Sequence, residues 1–194
     1  MDIAALIAAN AARWDKMRIL PARALEVEKV AARLCAPKAK AVYQAVAQAV
    51  WGKPDRWWFV AIVHEREAGQ DFSKSIAQGD PWNEVSRHVP RGIGPFGSFA
   101  DAAIFTLTRL PPHPATWQDW SAGGVLTLFE LYNGLGYEQY HHEPSPYDWG
   151  ATTIEQHGKY VADGVFNPQV WDSQIGCAAL LKAMMELDPA IKVA

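Results

Sequence analysis

The sequence predicts a mainly α-helical fold, with a buried central helix and a small irregular or β-hairpin lobe beside it. Three observations carry that expectation. Apolar residues recur at helical spacing through most of the chain, punctuated by Pro and Gly. One run, Trp57-Trp58-Phe59-Val60-Ala61-Ile62-Val63, has no polar face, so a helix there must be covered on most sides. Residues 70–97 lose the periodicity and gain Gly and Pro, yet keep Phe72, Ile76, Trp82 and Val85 as groups to bury.

Each element can be placed in order. Residues 2–18 carry Ile3, Ile7, Ala11 and Trp14 on one helical face, and Pro21 stops that helix near Leu20. Residues 22–35 continue with Leu25, Val27, Val30 and Leu34, and Pro37 opens an Ala-rich helix to Trp51. Gly52 and Pro54 break it, and Asp55 is the expected cap of the central helix that begins near Arg56. On that helix His64 and Glu67 are three apart and share a face. Residues 70–97 are irregular, with room for a short hairpin. Ser98 caps a helix to about Leu110, and Ser121 opens the next, which ends at Asn133-Gly134. A second irregular, aromatic-rich region follows over 134–165. Asn167-Pro168 reads as an N-cap and first helical residue, opening a last helix to about Leu187. No internal repeat or domain linker is visible, so the chain reads as a single domain over 1–194.

Composition narrows the function. The chain has 194 residues, 49% apolar and 20% charged, which suits a packed domain. A net charge of −3 argues against nucleic-acid binding, which needs a basic face. No stretch is long and apolar enough to insert in a membrane. The N-terminus lacks a basic region and a long apolar run, so no secretory signal is read and the product is expected to be cytoplasmic when made. Nine Trp can line a site for sugars or flat ligands, but core packing is the reading that the count alone favours. Cys35 and Cys177 read as reduced thiols.

The chemistry centres on the polar end of the apolar run. A carboxyl where the core meets solvent is held protonated by burial, as a general acid must be. Glu67 is the candidate, with Glu65 as the alternative. Asp80 follows in a Gly-Asp-Pro turn, and Ser86 stands where its hydroxyl could help hold a water. Two carboxyl groups flanking one bond is the arrangement of glycoside hydrolysis. The competing reading pairs Glu65 and Glu67 with Arg66 or surface cations and leaves Asp80 a turn residue. No metal or other cofactor is expected. A zinc motif at His64-Glu65 would need His at position 68, where Ala68 stands, and His141-His142-Glu143 are loop neighbours, a weak metal signal.

The trio Glu67, Asp80 and Ser86 resembles the Glu–Asp–Thr arrangement of phage-type lysozymes. Five residues separate Asp80 from Ser86, as in that family, whereas twelve lie between Glu67 and Asp80, a longer interval than the family's. Over about residues 58–187 the chain resembles, more closely, a group of phage and prophage cell-wall hydrolases (endolysins) with a lysozyme-like domain. The motifs are His64-Glu65-Arg66-Glu67, Gly79-Asp80-Pro81, Val89-Pro90-Arg91-Gly92, Tyr132-Asn133-Gly134-Leu135-Gly136-Tyr137, Ser145-Pro146-Tyr147-Asp148-Trp149 and Gly158-Lys159-Tyr160-Val161-Ala162-Asp163-Gly164. Ala68, Gln78 and Trp82 stand where that group carries Ser, Asn and Leu. Residues 1–50 lie outside the motifs and are expected to pack, as a helical segment, on the core of residues 51–194.

The resemblance implies a lysozyme-like fold and cleavage of the β-1,4 bond between N-acetylmuramic acid and N-acetylglucosamine in bacterial peptidoglycan. It puts the acid at Glu67, with Asp80 and Ser86 as its catalytic partners. His64, Trp82, Tyr132, Asn133, Tyr137, Tyr147 and Trp149 are the expected substrate-binding residues; Tyr137, Tyr147 and Trp149 could equally be packing. The expected protein is a monomer that reaches the wall after release from the host cytoplasm. A lytic transglycosylase, which resembles it through Tyr132-Asn133, a chitinase-like enzyme and a non-catalytic wall-binding module of a virion are the alternatives.

Overall fold

The computed structural model describes residues 2–162 and 164–193. It is mainly helical, with one small antiparallel sheet. Helix α1 spans Ile3–Lys16, α2 Ala24–Leu34, α3 Pro37–Trp51 and α4 Trp57–Ala68. After the irregular segment come α5 (Phe99–Arg109), α6 (Ala122–Asn133) and a single turn, α7 (Pro146–Trp149). Strands β1 (Lys159–Ala162) and β2 (Val165–Asn167) form a bulged hairpin, and α8 (Cys177–Leu187) closes the chain.

Helix α4 is the centre of the core. Every residue from Trp57 to His64 is buried, and α2, α3 and α8 pack around it. Phe59 stacks on Phe129 of α6 with centroids 4.7 Å apart, which closes the remaining side. Each large apolar side chain buried in this way stabilises the fold by about 1.5–3 kcal/mol. A helix covered all round cannot tilt or slide without opening cavities, so its last turn is a rigid base for side chains.

The flanking helices fix α6 as well. Helix α1 lies along α6 where Gly123 lets the backbones touch: a Cβ there would overlap the carbonyl oxygen of Ile7 and lie 2.9 Å from Ala11 Cβ. Asn10 of α1 donates to Thr127 and Glu130 of α6 at 3.2 and 3.3 Å, and Arg13 pairs with Glu138.

Several boundaries differ from the sequence reading. Helix α1 ends at Lys16, short of Leu20. Asp55 does not cap α4; Pro54–Arg56 form a 3-10 turn that runs directly into it, and no side chain caps the join. Ser98 and Ser121 do cap α5 and α6, accepting from the backbone N–H of Asp101 and Gly124. The last helix begins at Cys177, ten residues beyond Asn167. Asn167 ends β2 and accepts from the Gln169 N–H at 2.9 Å, forming an Asx turn, whose local chemistry is that of an N-cap. The paired strands lie at Lys159–Ala162 and Val165–Asn167, whereas residues 70–97 hold only an isolated bridge between Lys74 and Pro81. Asp163, within the Gly158–Gly164 motif, lies outside the described residues.

Candidate active site

Glu67 sits in the last turn of α4, half-buried at the rim of the core. Its Oε1 accepts a hydrogen bond from the Tyr147 hydroxyl at 2.8 Å. Tyr147 stands on α7, whose single turn is started by Ser145 and Pro146. The Arg66 guanidinium lies over the Tyr147 ring, 4.5 Å from its centroid. Arg66 is itself pinned: it donates to the Ile175 carbonyl at 3.0 Å and to Asp172 Oδ2 at 3.3 Å. Lys159 of β1 holds the other Asp172 oxygen at 2.7 Å. The segment between β2 and α8 therefore loops back under α4 to lock the side chain next to Glu67.

Desolvation raises the Glu67 pKa to about 7, against the opposing pull of the Tyr147 hydrogen bond and the Arg66 charge. Its place at a helix C-terminus, where the backbone dipole repels negative charge, acts in the same direction as burial. One hydroxyl donor is too little to compensate a carboxylate for lost water.

Two cavities meet at this residue. The first, about 470 Å³, is walled by Arg66, Tyr137, Tyr147, Asp172, Gln174 and the hairpin, with Lys159 and Tyr160 facing it. The second, about 490 Å³, is walled by Ala77, Gln78, His88, Val89, Arg91 and Tyr132. Glu67 and Asn133 line both, so they stand at the waist of a groove that continues on either side. Asn133 is the last residue of α6 and Tyr132 precedes it, its hydroxyl donating to the Ile76 carbonyl at 2.8 Å. That bond ties the loop after α4 to the end of α6. Gly79 brings the same loop against the end of α4: at φ +72, its missing Cβ would lie 2.7 Å from the Glu67 carbonyl oxygen.

The other predicted residues divide. Tyr137 is buried and lines the first cavity, where its hydroxyl accepts from the Tyr160 N–H at 3.1 Å. Asp80 lines neither cavity. Its Oδ2 accepts from the N–H groups of Arg87 and His88 at 2.7 and 2.9 Å, and its Oδ1 from the His88 ring at 2.6 Å. The backbone N–H of His88 is the largest influence holding the Asp80 pKa down to about 2. Ser86 also lies outside both cavities; its hydroxyl donates to the Pro90 carbonyl at 2.8 Å and accepts from the Ile93 N–H at 3.0 Å, which folds the loop. Both residues, expected beside the acid, instead shape the loop that carries His88.

Of three further expected substrate contacts, His64 and Trp149 lie in the core and Trp82 packs against it. His64 is fully buried; it bonds Tyr43 through Nδ1 at 2.9 Å and donates from Nε2 to the Asp71 carbonyl at 3.1 Å. Desolvation lowers its pKa to about 4, so it is neutral, and that tautomer is fixed by its two partners. Trp149 is fully buried. Trp82 packs on the core and donates its indole N–H to the Phe72 carbonyl at 2.8 Å. Glu65 is held by Arg33 at 2.8 and 2.9 Å, away from the groove. His141 stacks on Phe166 and bonds Tyr160, and among the described residues no cluster of His, Cys, Asp and Glu is spaced for a metal ion.

Sequence reasoning missed Arg66, Asp172 and Gln174 behind the acid, and His88 and Arg91 in the second cavity. Arg66 and His88 lie within or beside recognised motifs, but their partners come from 106 and eight positions away respectively. No protein-family model, curated protein or solved structure matches this chain.

Proposed function

We propose that the protein is a peptidoglycan hydrolase on a lysozyme-like scaffold, cleaving the β-1,4 bond between N-acetylmuramic acid and N-acetylglucosamine. The observation that carries the reading is a carboxyl held protonated near neutral pH at the waist of a continuous groove. A glycan strand laid along the two cavities would place one glycosidic oxygen beside Glu67. Glu67 donates its proton to that oxygen as the bond to the anomeric carbon breaks, and positive charge develops on the sugar ring. Tyr147 orients the carboxyl and stabilises the carboxylate it leaves behind. Asn133 supplies an amide at the same point for the acetamido or hydroxyl groups of the strand.

One observation favours a second reading, a lytic transglycosylase. Both oxygens of Asp80 are taken up by the 86–88 turn, so the site resembles a single-carboxyl scheme in which the muramic 6-hydroxyl attacks internally. The test is digestion of purified sacculi, with mass spectrometry of the soluble products. Reducing muramic ends are expected; anhydro-muramic ends mark the second reading. Glu67→Gln should abolish release in either case, and a wild-type protein that releases nothing, or a variant that matches it, refutes both.

A further inference from the structure

The second cavity holds an imidazole that the sequence reading did not assign. His88 lines it together with Glu67, and Asp80 grips the ring at Nδ1, 2.6 Å away. Among the described residues Asp80 has no other side-chain partner; its remaining side-chain bonds come from the backbone of Arg87 and of His88 itself. The carboxylate therefore fixes the backbone and the ring of one residue at once. Asp80 is ionised and can only accept, so Nδ1 carries the proton, and in the neutral ring the lone pair falls on Nε2. That Nε2 has no hydrogen-bond partner among the described residues. The loop is in turn closed by Ser86 on Pro90 and Ile93, which keeps the turn from opening. A half-buried acid and, lining the same cavity, an imidazole held by a carboxylate with its second nitrogen unpartnered are the parts of a proton donor and a proton-abstracting pair.

We propose that His88 is the second catalytic residue of the site and that Asp80 is its positioning residue. This rests on the hydrolytic form of the reading above. A water in the second cavity gives one proton to His88 Nε2 as its oxygen forms a bond to the anomeric carbon. The bond from that carbon to the bridging oxygen breaks, and the bridging oxygen takes the Glu67 proton. The products are a reducing muramic end and a free hydroxyl, with His88 protonated and Glu67 ionised. Exchange with solvent restores both. Asp80 acts at a distance from the sugar, by holding the tautomer and offsetting the charge that His88 acquires.

The experiment measures kcat and KM on purified sacculi for wild type, His88→Ala, His88→Gln, Asp80→Asn and Glu67→Gln, with melting curves for each. His88→Ala should lose on the order of 100-fold in kcat with KM little changed, as expected for removal of a general base. Free imidazole should recover about tenfold of that loss in His88→Ala and nothing in Glu67→Gln. His88→Gln keeps a donor to Asp80 and covers the case in which His88→Ala lowers the melting temperature; it should be as slow. Asp80→Asn offers an amide N–H to Nδ1, favours the wrong tautomer, and should lower kcat without raising KM. If the His88 variants keep a rate within about twofold of wild type while Glu67→Gln is inactive, the role of His88 is refuted and the acid remains. Anhydro-muramic products also refute it, because no water is then activated. A wild type with no release on sacculi removes the underlying reading itself.

Discussion

Replacing Glu67 by Gln should make the protein more stable above neutral pH, and by an amount that the site sets. Gln keeps the carbonyl that accepts from Tyr147 and keeps the volume, but never ionises. In the wild type, burial raises the carboxyl from 4.5 to about 7. Between those two values the folded chain holds a proton that the unfolded chain has lost, so stability falls as pH rises through the window and is flat above it. Below 4.5 both states are protonated and the contribution vanishes. One pKa unit is worth 1.36 kcal/mol, which puts the full loss at about 3 kcal/mol. For a chain of this size that is a melting difference of about 6–12 °C between variant and wild type near pH 8.5. Near pH 4 the two should melt together. Glu130, also raised to about 7 by desolvation, and His64, lowered to about 4, titrate in the same range. Both are present in each protein, so subtracting the melting curves removes them. The assay is thermal unfolding by circular dichroism at pH 4, 6, 7 and 8.5. Parallel curves at every pH would refute the argument, because they would mean that Glu67 is as well solvated in the folded state as in the unfolded one.

The remaining predictions test how the acid is supported. Tyr147→Phe removes a bond that favours the ionised form, so the alkaline limb of kcat/KM should move to higher pH, readable from the rate on sacculi across pH 6–9. Gly79→Ala puts a Cβ 2.7 Å from the Glu67 carbonyl at a left-handed φ; it should cost about 1–2 kcal/mol from φ alone and reduce activity beyond that, measured by denaturant unfolding alongside turnover. Trp149→Ala should destabilise the fold by about 3–5 kcal/mol, because the ring is fully buried; a raised KM on an unchanged denaturation midpoint would instead make it a sugar platform.

How much of this was readable in the chain depends on the range of each interaction. The burial of α4 was legible because seven apolar residues in a row leave no polar face, whatever packs against them. Ser98 and Ser121 were legible because a cap bonds within three residues. Asn167-Pro168 misled for the same reason: an Asx turn and an N-cap share one local signal, and what decides between them is whether the following residues must reach elsewhere. Here they must, since Asp172 goes to Arg66 and Lys159. His64 and Glu67 share a helical face by spacing, yet His64 is enclosed by Tyr43, Phe72 and Phe99, while Glu67, nearly a turn later, reaches the groove. Where the core ends along that face is a tertiary fact. The same holds for Trp149, two residues from Tyr147 in one motif but on the core side of the turn.

The contrast between Glu67 and Asp80 gives the site its direction. Glu67 has one hydroxyl donor and a helix C-terminus behind it; Asp80 has two backbone N–H groups and an imidazole. Their pKa values, about 7 and about 2, diverge from nearly equal starting points. Between those values one carboxyl holds a proton and the other holds a charge, without any direct bond between them. Such a split leaves Glu67 able to give a proton while Asp80 keeps the charge that holds the His88 ring. It also locates the sensitivity of the pair. Changes to burial around α4 act on Glu67 alone, and changes to the 86–93 loop act on Asp80 and His88 alone. Variants that loosen the loop should therefore lower turnover while leaving the alkaline limb near pH 7 in place, whereas variants that open the α4–α7 contact should move that limb.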